Sequence, residues 1–121
     1  MTWSPISEAE IWDLINQSCE RMDWAQTRLW DSIRIDPIKW QLHPWGDLGG
    51  GFWVVAIIGS TVVWYNDIEH GFNRSCYSKY GTIDKYWCNQ DELEWQVQHV
   101  LTDINEGGRS GGFAGPPQSI Q

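Results

Sequence analysis

Apolar and polar positions alternate along this chain in two rhythms, one near 3.6 residues and one of two. Over residues 7–22 the longer rhythm holds. Ile11, Leu14, Ile15, Ser18 and Met22 share one face at helical spacing. Ser7 with Glu10 three residues on forms a capping box, and Ile6 and Ile11 are placed as a hydrophobic staple. Asp23 and Gln26 repeat the box, which predicts a second helix over about 24–33 burying Ala25, Leu29 and Ile33. One long helix bent near Asp23 is the alternative. Asp36-Pro37 stops helix propagation, because proline pushes its predecessor into extended geometry.

The period then drops to two. "IKWQL" (38–42) sets Ile38, Trp40 and Leu42 on one side of a strand, and "HPWGDLGGG" (43–51) reads as a loop. "FWVVAII" (52–58) is an unbroken apolar run, too short for an ordinary helix, as expected of a central strand covered on both faces. "TVVWY" (61–65) follows after Gly59-Ser60, a pair suited to a type II′ hairpin turn. "DIEHG" (67–71) is the next connection. "FNRSCYS" (72–78) and "TIDKYWC" (82–88) read as two more strands nearer an edge.

The longer rhythm returns at the end. Asn89 is placed to cap a last helix, with Glu92 completing a box and Cys88 and Leu93 a staple. Leu93, Val97, Val100 and Ile104 share its apolar face, and Gly107-Gly108 ends it. Residues 107–121 are rich in Gly and Pro and read as a flexible tail. The predicted fold is one α+β domain over 1–106: N-terminal helices, an antiparallel meander of four to five strands, and a C-terminal helix packed on the sheet.

Composition narrows the partners. Lys plus Arg number 8 against 16 Asp plus Glu in 121 residues, a formal charge of −8. Glu8, Glu10, Asp13, Glu20 and Asp23 stand against Arg21 alone. Asp84, Asp91, Glu92, Glu94, Asp103 and Glu106 stand against Lys85 alone. A chain with no basic patch is a poor ligand for nucleic acid or anionic lipid and suits a basic protein partner. No apolar run reaches the ~18 residues of a membrane helix, and the first residues lack a signal-peptide pattern. Cys19, Cys76 and Cys88 are an odd number at irregular spacing, which suggests reduced thiols and a cytoplasmic location.

Candidate chemistry is sparse. His70, Cys76, Cys88 and His99 are conceivable metal ligands but lack the close pairs of structural zinc sites, so neither a metal nor a cofactor is expected. No cysteine carries a nucleophile signature, and "GDLGGG" (46–51) lacks the Lys-Ser/Thr of a phosphate loop, so no catalytic residue is assigned. Asp67, Glu69 and His70 fit acid–base chemistry, a partner contact, or simply a bend. In the last reading Gly71 releases the chain from the turn. Trp95 is the odd residue of the last helix. It lies about 160° from the centre of the apolar face, at roughly 100° per residue. Asp91, Gln98 and Thr102 surround it, with Glu94 and His99 at the margins. A tryptophan on an acidic, polar face fits an interface hot spot. It also fits a second covered side of the helix, under the 43–51 loop or the tail.

A small, acidic, Trp-rich α+β chain without a catalytic motif resembles, in overall character over residues 1–106, the immunity proteins of bacterial polymorphic-toxin systems. The resemblance implies a non-enzymatic, cytoplasmic inhibitor that binds one toxin domain, with a basic cleft, and occludes its active site. The residues placed to meet such a partner come from this chain's own pattern: Trp95, Asp91, Glu92, Glu94 and Gln98, then Asp67, Glu69 and His70. Two other readings stand beside it. One is a small enzyme or ligand-binding domain with Trp53, Trp64 and Trp87 lining a pocket over the sheet. The other is an acidic mimic of nucleic acid that inhibits a nuclease.

Overall fold

A computed structural model describes residues 3–107. Helix α1 runs Glu8–Arg21 and α2 runs Trp24–Ile33. Both predicted capping boxes form: Ser7 Oγ accepts from the Glu10 amide, and Asp23 from the Gln26 amide. The two caps split what could have been one bent helix, with Met22 in extended geometry between them. The buried face of α2 is Gln26, Trp30 and Ile33, so Ala25, expected inside, is exposed.

Four strands follow: β1 (Arg34–Trp40), β2 (Phe52–Ile58), β3 (Thr61–Asn66) and β4 (Gly71–Cys76). They form an antiparallel meander in the order β1-β2-β3-β4. Strand β1 starts four residues earlier than its alternation predicts and carries Pro37 within it. Proline is tolerated there because β1 is an edge strand. The register is irregular between Arg34 and Ile38; Ile38 pairs with Val54 on the face of Trp40 but is 43% exposed, while Trp40 and Leu42 stay buried. At the β2–β3 turn Gly59 alone takes positive φ, as the first position of a type II′ turn requires.

The sheet is covered on both faces, as the apolar run of β2 predicts. On one face Val55, Val63, Tyr65 and Phe72 meet Ile11, Ile15, Trp30, Leu93 and Val97 from the helices. Helix α3 (Leu93–Glu106) closes this core and contacts α1, α2 and β4. On the other face Trp40, Phe52, Val62 and Trp64 meet Ile83 and Tyr86.

That second cover is where the sequence reading fails. Residues 82–88 form no strand; Thr82 makes only isolated bridges, to Gln41 and Lys79. Side chains of the sheet pin this irregular segment instead. Ser75 Oγ donates to the Lys85 carbonyl, and Asn66 Nδ2 to the Trp87 carbonyl. Asn73 accepts from the Asn89 amide at 2.8 Å and donates to the Asn89 carbonyl at 3.2 Å. Asn89 is therefore clamped to β4 and does not cap α3, whose N-cap is Glu92, three residues past the predicted one. Replacing Asn73 with alanine removes both bonds to the Asn89 backbone at a fully buried site. The expected cost is about 2 kcal/mol, read by chemical denaturation, with faster amide exchange in residues 82–92.

At the far end of α3, Gly107 takes the left-handed C-cap conformation. Ile104, expected on the buried face, is 54% exposed. The predicted tail lies outside the described residues from 108 onward.

Candidate binding surface

The first half of α3 is stitched to the two N-terminal helices. Arg21, the last residue of α1, donates through Nε to Glu94 at 2.6 Å. Its Nη2 donates to Glu94 at 3.2 Å, to Glu92 at 3.1 Å and to Ser18 at 3.1 Å. Burial pushes the Glu94 carboxyl up, but the Arg21 hydrogen bonds and charge outweigh it, and the group ends below its ordinary range. From α2, Gln26 Nε2 donates to Gln98 Oε1 at 3.0 Å, and Gln98 donates on to Thr102. Asp91 accepts from the Gln96 side chain, and its carbonyl takes the Phe72 amide beside β4.

These bonds reassign most of the acidic residues around Trp95. Glu94 is buried against Arg21, and Asp91 and Gln98 are tied into the fold. Only Glu92 keeps an open carboxylate, with its side chain 59% exposed although paired with Arg21. Trp95 itself is 53% exposed. Among the described residues α1 and α2 cover a second side of the helix, and Trp95 stays outside that contact; the tail, the other expected cover, lies outside the described residues.

The sequence reading missed Trp24. It is the first residue of α2 and is 74% exposed, with the Arg28 guanidinium 4.9 Å from its ring centre. The signal was present. Trp24 falls off the Gln26/Trp30/Ile33 face by helical spacing, as Trp95 falls off the face of α3. Both tryptophans stand on the helical layer, on elements joined by the Gln26–Gln98 bond. On α1, Glu8, Asp13 and Glu20 are exposed, the last two opposite its buried face.

The bend at 67–70 is divided. Asn66 accepts from the Ile68 and Glu69 amides, the turn chemistry its type predicts. Asp67 is buried, and its carboxylate accepts the Ile6 amide at 2.9 Å. Trp3 Nε1 donates to the Asp67 carbonyl, so this residue fastens the N-terminal segment. Glu69 and His70 face outward. The left-handed residue is His70, at φ 60°, and not Gly71. Asp67, Glu69 and His70 therefore do not converge on one open site. A cavity of about 180 Å3 reaches Asp67 and His70 beneath the N-terminal segment, beside Tyr65 and Glu10. It is not the expected aromatic pocket, because Trp53 packs on the helical side of the sheet and Trp64 and Trp87 on the other.

Burial raises the Asp67 carboxyl above its ordinary range, more than the Ile6 amide and nearby positive charges lower it. A raised carboxyl contributes stability below its unfolded value of 3.8 and loses it as pH rises through the folded value. Asp67→Asn keeps an acceptor for Ile6 and removes the charge. The variant is expected to melt above the wild type at pH 7, with the gap closing as pH falls below about 3.8. Glu94 runs the opposite way: its contribution is present above 4.5 and is lost as pH falls through its lowered value.

Among the described residues no three His, Cys, Asp or Glu are grouped to hold a metal ion, and no helix is long and apolar enough to cross a membrane. No protein-family model, curated protein or solved structure matches this chain.

Proposed function

We propose that this protein is a non-enzymatic inhibitor of the immunity type, which binds a toxin domain and occludes its active site. The observation that carries this reading is the pair of exposed tryptophans, Trp24 and Trp95, on an ordered helical layer edged with carboxylates. A tryptophan ring left in water costs solubility. On a helix held by ion pairs and side-chain hydrogen bonds it is also already positioned for contact, with little entropy left to lose on binding. Glu92 and the outer acids of α1 give this side a negative field, which speeds encounter with a basic cleft. Of the residues read from the sequence, Trp95 and Glu92 form the contact surface. Asp91, Glu94 and Gln98 hold it in place, and Asp67, Glu69 and His70 lie on a separate bend.

The reading is tested by co-expression with a toxin domain that captures this protein in a pulldown. Cells carrying the toxin domain alone should stop growing, and cells that also make this protein should grow. Continued growth arrest with both proteins soluble would reject the inhibitor role.

A further inference from the structure

A second feature lies at the 67–70 bend, apart from the tryptophan face. The cavity of about 180 Å3 beneath the N-terminal segment is bounded by Glu10 of α1, Tyr65 of β3, Asp67 and His70. The segment above it is fastened at both ends. Trp3 Nε1 donates to the Asp67 carbonyl, and the Ile6 amide donates to the Asp67 carboxylate. The walls are therefore set before a ligand arrives, which lowers the cost of ordering them. The volume falls below the roughly 300–1,000 Å3 of sites for drug-sized ligands. It suits a group the size of one side chain.

The polar lining has capacity to spare. Tyr65 is 8% exposed, with its ring 4.8 Å from Phe72 in the helical core. Its hydroxyl makes no hydrogen bond among the described residues. A buried tyrosine hydroxyl ordinarily has a partner. Burial, then the charges of Asp67, Glu92 and Glu10, raise the phenol above its ordinary range, so the hydroxyl stands near these carboxylates and keeps its proton. Neither Glu10 nor Asp67 forms an ion pair among the described residues. Lys39 is turned to the Gly49 carbonyl, and His70 faces outward. A carboxylate offers about four acceptor positions. On Glu10 the Ser7 amide and hydroxyl both use Oε1, and on Asp67 the amides of Ile6 and of Asp67 itself are the donors. Both carboxylates keep room for another. The Ser7 bonds hold Glu10 below its ordinary range, so it is ionised. Burial makes the Asp67 charge costly, and a cation beside it would offset that cost. Trp3, Pro5 and Ile6 make the remaining wall apolar.

We propose that this cavity binds a primary alkylammonium group. Its three N–H donors go to the Tyr65 phenol oxygen, Asp67 and Glu10, and its alkyl stem lies against Trp3, Pro5 and Ile6. A neutral alcohol leaves both carboxylates without a countercharge. A quaternary ammonium brings charge but no N–H for Tyr65. A free amine and the tip of a lysine side chain share the required chemistry. The assignment does not rest on the inhibitor reading, which uses Trp24 and Trp95 on the helical layer.

The test is an NMR titration of the isotope-labelled full chain at neutral pH with n-butylammonium, n-butanol and butyltrimethylammonium. n-Butylammonium should give saturable shifts at the amides of residues 3–10 and 65–71. It should bind at least about tenfold tighter than either analogue, because neither can make the charge-assisted hydrogen bonds. No saturation by about 20 mM, or equal affinity for either analogue, would overturn the proposal. Tyr65→Phe keeps the ring and removes only the unpartnered hydroxyl. Its melting curve should be unchanged, and its affinity for n-butylammonium about tenfold weaker. Asp67→Asn should weaken binding at least as far. Undiminished binding by Tyr65→Phe would put the ligand elsewhere. Nα-acetyl-lysine methylamide then separates the sources. Binding as tight as that of n-butylammonium assigns the site to a lysine of a protein partner. Its exclusion, with n-butylammonium still bound, assigns the site to a free amine.

Discussion

Gly71→Ala is expected to cost about 3 kcal/mol and to lower the melting temperature by roughly 12–24 °C. The reason is contact, not backbone freedom. A Cβ at position 71 would sit 2.1 Å from the Asn89 carbonyl oxygen and 2.4 Å from the Gln90 Cα. Both are backbone atoms, and the Asn73 clamp holds that backbone against β4. Neither β4 nor the 89–90 segment can retreat without opening the bonds that fasten residues 82–92 over the second core. Gly59→Ala is the informative control. Gly59 has φ +56° and open space around it, so alanine there meets only left-handed strain, about 1 kcal/mol. Differential scanning calorimetry of the two variants separates the effects. Similar melting temperatures would show that residues 89–90 do not approach β4 as closely as described.

The second large effect concerns binding. Trp24→Ala and Trp95→Ala should each weaken a toxin complex by about 2 kcal/mol, the usual cost of truncating a buried tryptophan anchor. The double variant should lose about 4 kcal/mol, near a thousandfold in affinity, if the two sites act independently. Folding stability should barely change. Trp95 is half outside the protein already, and Trp24 gives up only its exposed contact with Arg28, about 0.5 kcal/mol. Trp45 provides the contrast. It is 40% exposed but stacks on Tyr86 at 4.5 Å on the opposite side of the sheet. Trp45→Ala should therefore cost stability and leave affinity unchanged. Calorimetric titration and thermal melting of the three variants distinguish these patterns.

What could be read from the sequence follows the range of the interactions involved. The caps at Ser7 and Asp23 join residues three apart, so both helix starts were legible. The apolar run of β2 and the Gly59-Ser60 turn are equally local, and the meander followed from them. Residues 82–88 have β-branched and aromatic residues at strand-like spacing. What keeps them irregular lies elsewhere in the chain, at Asn66, Asn73 and Ser75, and a pattern search cannot pair those side chains with distant carbonyls. The same limit applies to the acidic residues near Trp95. Their charges were visible, but Arg21 lies 73 positions from Glu94, so its neutralising contact was not. Trp95 was legible because being off the apolar face is a local fact. Trp24 meets the same criterion, lying off the Gln26/Trp30/Ile33 face of α2. The anchoring role of Asp67 was illegible for a further reason. Its partner is the backbone amide of Ile6, and a main-chain donor leaves no mark in the residue types.

The most direct test of the inhibitor account is oxidative footprinting of the tryptophans, read by mass spectrometry, in the free protein and with the toxin domain it is proposed to bind added in excess. Trp24 and Trp95 should be readily oxidised when free and protected in the complex, while Trp45 changes little. Trp24 and Trp95 oxidised equally in both samples, with a stable complex present, would contradict the assignment of the helical face as the binding surface.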